Sequence, residues 1–325
     1  MAIQLCRLQI ITPAGSRILL AYVSMMMAPR YYTFTGRVGE VIPRHVTHVL
    51  IAKALKFVPR RAFKEHPNIE EVICHDGVVK IEEAAFSRCP RLRRVIMPGV
   101  KEVENYAFNE CESLTHIECG KLERIRAGVF RCCESLRSID LPSIKIVERF
   151  VFHGCADLTS VNFGKVLVSI RGLAFQFCRS LERVTLPLKD GILTTDDDDT
   201  FKGCGNLNHV DLVEGEVLHE TVAALLNEEW RNDVNEEIVS INRILPSTPA
   251  GTDDYYLDNG EKSQAIQTWI ASVLQKIIRY KAEHRSYLNV AATTLQSSLP
   301  NDIVHKNILP FLELPSYTFQ GETSD

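Results

Sequence analysis

A phenylalanine followed three residues later by a cysteine recurs six times along this chain, as Phe86 and Cys89, Phe108 and Cys111, Phe130 and Cys133, Phe152 and Cys155, Phe175 and Cys178, and Phe201 and Cys204. With Phe63 included, the aromatic positions step by 23, 22, 22, 22, 23 and 26 residues. A fixed period in the twenties marks a solenoid, in which each repeat is one supersecondary unit that buries its apolar side only against its neighbours.

A second signature follows each phenylalanine, reading L-x-x-V/I-x-apolar. It appears from Leu92, Leu114, Leu136, Leu158, Leu181 and Leu207, again as "IEEVIC" from Ile69, and in degraded form as "VTHVLI" from Val46. Its fourth and sixth residues are apolar and its third and fifth mostly polar, the period-2 alternation of a half-buried strand. Shorter runs follow at 78–81, 100–103, 122–125 and 144–147. The spacing therefore predicts an α/β repeat solenoid with two short parallel strands per 22–23-residue repeat. Stacked at ~4.8 Å, eight long strands would extend roughly 34 Å.

On this reading Phe63, Phe86, Phe108, Phe130, Phe152, Phe175 and Phe201 stack into a structural spine. Cys89, Cys111, Cys133, Cys155, Cys178 and Cys204 form a ladder beside it, where a tight turn needs a small, mostly apolar side chain. His66 holds the ladder position of the first coil, where the end of the array would leave it more exposed. Cysteines one coil apart have parallel Cβ vectors, unsuited to disulfides. No C-x-x-C pair suggests a metal knuckle, so no metal or cofactor is expected.

The stretches "IEEAAFSRCPRLRRVIMP" and "VENYAFNECESLTHIE" resemble the BspA-type leucine-rich repeat, whose unit reads I-x-x-x-A-F-x-x-C-x-x-L-x-x-I-x-x-P. The resemblance covers roughly 46–213, with Ala-Phe kept at 62–63, 85–86, 107–108 and 174–175. It implies a right-handed leucine-rich coil used for binding, with no enzymatic activity in the array. With its C-terminal helices, the whole chain is similar to algal and diatom members of the family more than to the bacterial adhesins.

Outside the array, residues 1–30 read as an extension, with "RILLAYVSMMMA" (17–28) having the size of a leader core, and 31–45 as an N-terminal cap. The alternative for the first two dozen residues is a gene-model extension ahead of a start at Met25, Met26 or Met27. After the array (46–213), helical spacing over 216–245 predicts a helical cap, 246–260 a turn-rich linker, 261–314 further helices closed by Pro310, and 315–325 a polar tail.

Candidate partner-binding residues lie on the outward strand face, in two columns that include Arg94, His116, Arg183 and His209, and Glu118, Asp140 and Asp211. Their mixed chemistry suits hydrogen bonding to a protein or glycan. No nucleophile completes a catalytic set, and no Walker A, H-E-x-x-H or G-x-S-x-G motif is present. "DDDD" (196–199) lacks the register of a calcium loop and reads as a solvated turn. A net charge of −4, with only one locally basic helix at 276–285, gives no expectation of nucleic-acid binding.

The expected function is a cytoplasmic, non-enzymatic scaffold for protein partners, with no transmembrane segment. One alternative is a secreted or cell-surface adhesion protein. Another is a ubiquitin-ligase substrate receptor, because "LPNDIVHKNILPFL" (299–312) is similar to the opening of an F-box.

Overall fold

The computed structural model describes residues 29–193, 200–213, 215–245 and 261–308. The extension up to residue 28, the acidic turn 194–199, the linker 246–260, and Pro310 with the tail lie outside the described residues.

Nine long strands and six short ones are formed among the described residues. The long strands are β1 (Tyr31–Phe34), β2 (His48–Ile51), β4 (Glu71–Ile73), β6 (Arg94–Ile96), β8 (His116–Glu118), β10 (Ser138–Leu141), β12 (Ser160–Phe163), β14 (Arg183–Leu186) and β15 (His209–Leu212). The short strands are β3 (Phe57–Val58), β5 (Lys80–Ile81), β7 (Glu102–Val103), β9 (Arg124–Ile125), β11 (Ile146–Val147) and β13 (Ser169–Ile170). The strands pair in parallel from coil to coil, and the six short ones make one unbroken sheet. The parallel solenoid inferred from the repeat is thus the fold, with one more long strand, β1, than the eight copies imply.

The long-strand ribbon is divided. β1-β2-β4-β6-β8 form one sheet and β10-β12-β14-β15 another. In the column register Ile96 pairs with Glu118 and Asp140 with Asn162, so Glu118 and Asp140 hold neighbouring places across the division. Like charges directly opposite one another weaken a strand pair, and the gap falls between the strands that carry these two carboxylates. Ile117 is only partly buried, whereas Val95 and Ile139, its equivalents on either side, are buried.

The phenylalanines form a continuous stack inside the coil, with neighbouring centroids 4.8 Å apart at Phe63–Phe86 and 5.7 Å at Phe108–Phe130 and Phe130–Phe152. Phe34 closes the stack edge-on against Phe63. Each ladder thiol does more than fill space. Cys89 donates to the Phe63 carbonyl at 3.0 Å, Cys111 to Phe86 at 3.1 Å and Cys133 to Phe108 at 3.2 Å. Cys155, Cys178 and Cys204 continue the pattern onto Phe130, Phe152 and Phe175. Ladder and spine are therefore one transverse network binding every coil to the one before it.

The tight turn around each spine residue from Phe63 to Phe175 uses left-handed backbone two positions before and after it, as at Tyr106 (φ 58°) and Glu110 (φ 58°) around Phe108. Gly128 takes the same place before Phe130, where a Cβ would stand 2.4 Å from the Tyr106 ring. His66 departs from the expectation of exposure. It is buried, with Nε2 at 3.2 Å from the Pro43 carbonyl, because the segment before β2 folds over the first coil.

Helices α1 (Gly215–Ala223), α2 (Glu228–Ile244) and α3 (Glu261–Gln296) follow. The single helix expected over 216–245 is two, because Asn227 is extended and caps α2, its Oδ1 accepting from the Glu229 N–H at 2.8 Å. The helices cover the open end of the array. Asn242 Oδ1 accepts from the Val210 N–H on the outer edge of β15, Lys262 Nζ donates to the Cys204 and Gly205 carbonyls, and Gln267 donates to Leu193. The buried Trp269 bonds α3 to the Glu237 carbonyl of α2.

Candidate functional site: the long-strand face

Alternation along each long strand turns one set of side chains into the core and the other outward. The outward set falls into the two columns read from the sequence. Arg94 pairs in register with His116, and Ser138, Ser160, Arg183 and His209 continue the column beyond the division. Asp140, Asn162, Thr185 and Asp211 make the neighbouring column. The seven candidates do not lie on one uninterrupted sheet. Arg94, His116 and Glu118 belong to the first, and Asp140, Arg183, His209 and Asp211 to the second.

Several of these groups already have partners. Arg94 Nε lies 3.5 Å from Glu71, and Arg183 Nη1 bonds Asp211 at 2.5 Å. Asn162 donates to Asp140 at 2.6 Å and accepts from Thr185 at 2.9 Å. The side chains of His116, Glu118, Ser138 and Ser160 make no hydrogen bond or ion pair with the described residues, and they flank the division in the ribbon.

The short strands and turns carry further pairs between coils. There Lys80 bonds Glu104, Arg171 bonds Glu148, Arg126 bonds Glu102, and Arg88 bridges Glu65 and Glu110, each pair reaching between neighbouring coils. The Lys80 ammonium draws the Glu104 carboxyl below its usual range, and Asn109 with Arg88 does the same for Glu110. Those charges are spent on holding coils in register.

The ladder thiols are buried in the core. The nine described cysteines are free. Burial pushes Cys89 up to about 12 and Cys111, Cys133 and Cys178 well above the usual thiol range, which removes the thiolate that nucleophilic or metal-binding cysteine requires. Among the described residues, no three His, Cys, Asp or Glu side chains converge to hold a metal.

The model of the BspA type leucine rich repeat region matches residues 45–144 and 123–220, with six copies. The chain belongs to this BspA-type leucine-rich repeat family. No curated protein matches it. Among solved structures it is similar to a leucine rich cell surface protein from Faecalibacterium prausnitzii (22% identity, 57% of this chain and 48% of that one, TM-score 0.44). A leucine-rich repeat protein from Bacteroides ovatus has 22% identity over 54% of this chain and 47% of its own, with TM-score 0.43. A T. pallidum leucine-rich repeat protein has 24% identity over 62% and 85%, with TM-score 0.42. The chain spans about half the length of the first two.

Two residues of this BspA-type face were missed in the sequence. His48 and Glu71 continue the Arg94 column toward the amino terminus, with His48 Nε2 3.5 Å from Glu71. The signal was present, since aligning "VTHVLI" and "IEEVIC" with the other copies puts both at the Arg94 position. At the other end of the chain, Leu299 and Ile303 of the F-box-like stretch are exposed, and its residues beyond 308 lie outside the described residues. No helix among the described residues is long and apolar enough to cross a membrane.

Proposed function

We propose that this leucine-rich repeat protein is a non-enzymatic scaffold that binds a protein partner through the outward face of its long strands. One observation carries the reading: His116, Glu118, Ser138 and Ser160 stand together on the strand face with no side-chain partner among the described residues, whereas many charges of the short strands and turns are paired between coils. Arg94, Asp140, Arg183, His209 and Asp211 surround them and supply charges of both signs. Such a surface selects a partner by electrostatic complementarity.

A cytoplasmic setting fits the free thiols, because a reducing compartment keeps a cysteine-rich chain unbridged. A processed amino terminus near residue 28 would assign the chain to the cell surface instead, with the same face in use. The test is affinity capture from the native cell with the wild-type chain and with a chain carrying Arg94→Glu, Glu118→Lys, Asp140→Lys and Arg183→Glu. Partners lost only from the altered chain support the strand face. Partners captured equally by both contradict it.

A further inference from the structure

The two ends of the solenoid differ. At the carboxyl end, side chains of α2 and α3 satisfy backbone groups of the last coil. At the amino end, β1 is an edge. Its carbonyls at Arg30 and Phe34 accept from His48 and Ala52, so strand alternation turns the N–H and C=O of Tyr31 and Thr33 away from β2. Those outward groups have no partner among the described residues, while the next outward N–H, at Thr35, is taken by the Glu40 carboxylate. Edge strands are normally blunted by shortness, charge, proline or a covering element; "YYTF" is short but has neither charge nor proline.

The surroundings of this edge add apolar surface and charge. Tyr31 is 62% exposed, Val38 and Val41 are open to solvent, and Phe57 is exposed on β3, the matching edge of the short-strand sheet. Residues 30–66 hold eight Lys or Arg against two Glu, a net +6 in a chain whose total is −4. Both glutamates are engaged, Glu40 with Tyr32 and Thr35 and Glu65 with Lys64 and Arg88. Arg37, Arg44, Lys53 and Lys56 are exposed and form no ion pair with a described residue.

We propose that this amino-terminal edge, unpaired among the described residues, is a second binding surface, which accepts an extended acidic segment of a partner protein as an added strand beside β1. Strand addition draws affinity from main-chain hydrogen bonds and specificity from flanking side chains. Here the main-chain groups of Tyr31 and Thr33 offer the bonds, and the cations select negative charge. Charge argues against the other occupants. A second copy docked end to end would bring the unpaired Arg37, Arg44, Lys53 and Lys56 against their own copies, and residues 1–28 contain Arg7 and Arg17 but no acidic residue.

The experiment is fluorescence polarisation of the full chain with a labelled peptide that alternates threonine or valine with aspartate or glutamate. The controls are a lysine counterpart and an acidic peptide of equal charge interrupted by two prolines. The acidic strand-former should bind at micromolar concentration in 50 mM salt, and at least tenfold more weakly in 500 mM salt, where screening is stronger. The proline-interrupted peptide and the lysine peptide should each lose at least tenfold. Thr33→Pro removes an outward N–H at a position where an edge strand tolerates proline, and it should cost a similar factor. Reversing Arg37, Arg44, Lys53 and Lys56 to Glu should abolish binding while the urea midpoint stays unchanged. No binding, equal binding of the proline-interrupted peptide, or no effect of both the Thr33 and charge variants would overturn the proposal. So would sedimentation of the chain alone as a salt-sensitive oligomer that excludes the peptide.

Discussion

Raising the pH should unfold this protein through its cysteine ladder. In the folded chain burial holds Cys89, Cys111, Cys133, Cys155 and Cys178 protonated well above the ordinary thiol range. Once unfolded, each thiol ionises near its ordinary pKa of roughly 8.5–9. Above that value the unfolded chain binds fewer protons than the folded one, so stability falls as pH rises and is fully retained below about pH 8. Between pH 8 and 10 each thiol withdraws about 1.4–1.9 kcal/mol, and the five together about 7–9 kcal/mol. Cys74 and Cys119, buried off the ladder and likewise raised to about 12, act in the same direction. That loss is comparable to the roughly 5–15 kcal/mol that stabilises an ordinary domain. Urea titrations followed by circular dichroism, under reductant at pH 7.5, 8.5, 9.5 and 10, should show the midpoint falling steeply across the last three. In Cys133→Ala the fall should be shallower by about one-fifth of the ladder's share. A midpoint flat to pH 10, or a Cys133→Ala slope equal to wild type, would refute the reasoning.

Phe130→Ala opens the middle of the spine, where the ring stacks on Phe108 and Phe152, and should cost about 3–5 kcal/mol in urea unfolding. Ser138→Ala on the solvent face should change stability by no more than ~0.5 kcal/mol. Glu118→Thr removes the carboxylate facing Asp140 across the divided ribbon and should stabilise the chain by about 0.2–1 kcal/mol, with slower hydrogen exchange at Ile117. Lys262→Met removes a buried ammonium from two carbonyls of the last coil and should cost about 1.5–3 kcal/mol, with faster exchange of the Val210 amide than of amides in the central coils.

The spine and the long-strand register were legible because a period near 22 fixes which residues meet, and the phenylalanine at one fixed repeat position meets its counterparts in the neighbouring coils. The columns of the candidate face followed from the same alignment. Other features were not, because they depend on details that periodicity does not encode. The thiol's bond to the preceding coil's carbonyl needs the backbone direction at Phe63 and its counterparts. The split of the ribbon falls between the strands of Glu118 and Asp140, each of which alone is an ordinary outward residue in an unbroken repeat. The burial of His66 depends on β1 and the loop after it, which have no repeat signature. The Asn227 cap was passed over although its signal was present: at 3.6 residues per turn Leu218, Val222 and Leu225 fall roughly opposite Val234, Ile238 and Ile241, which one continuous helix would not allow.

The central claim is that a partner engages the long-strand face. The most direct measurement is hydrogen–deuterium exchange of the full chain, alone and in complex with the partner captured by the wild-type bait. Protection is predicted in β6, β8, β10 and β12, strongest on either side of the division between Glu118 and Ser138, with the turn faces unchanged. Protection confined to α1–α3, with these strands exchanging as in the free chain, would contradict the account.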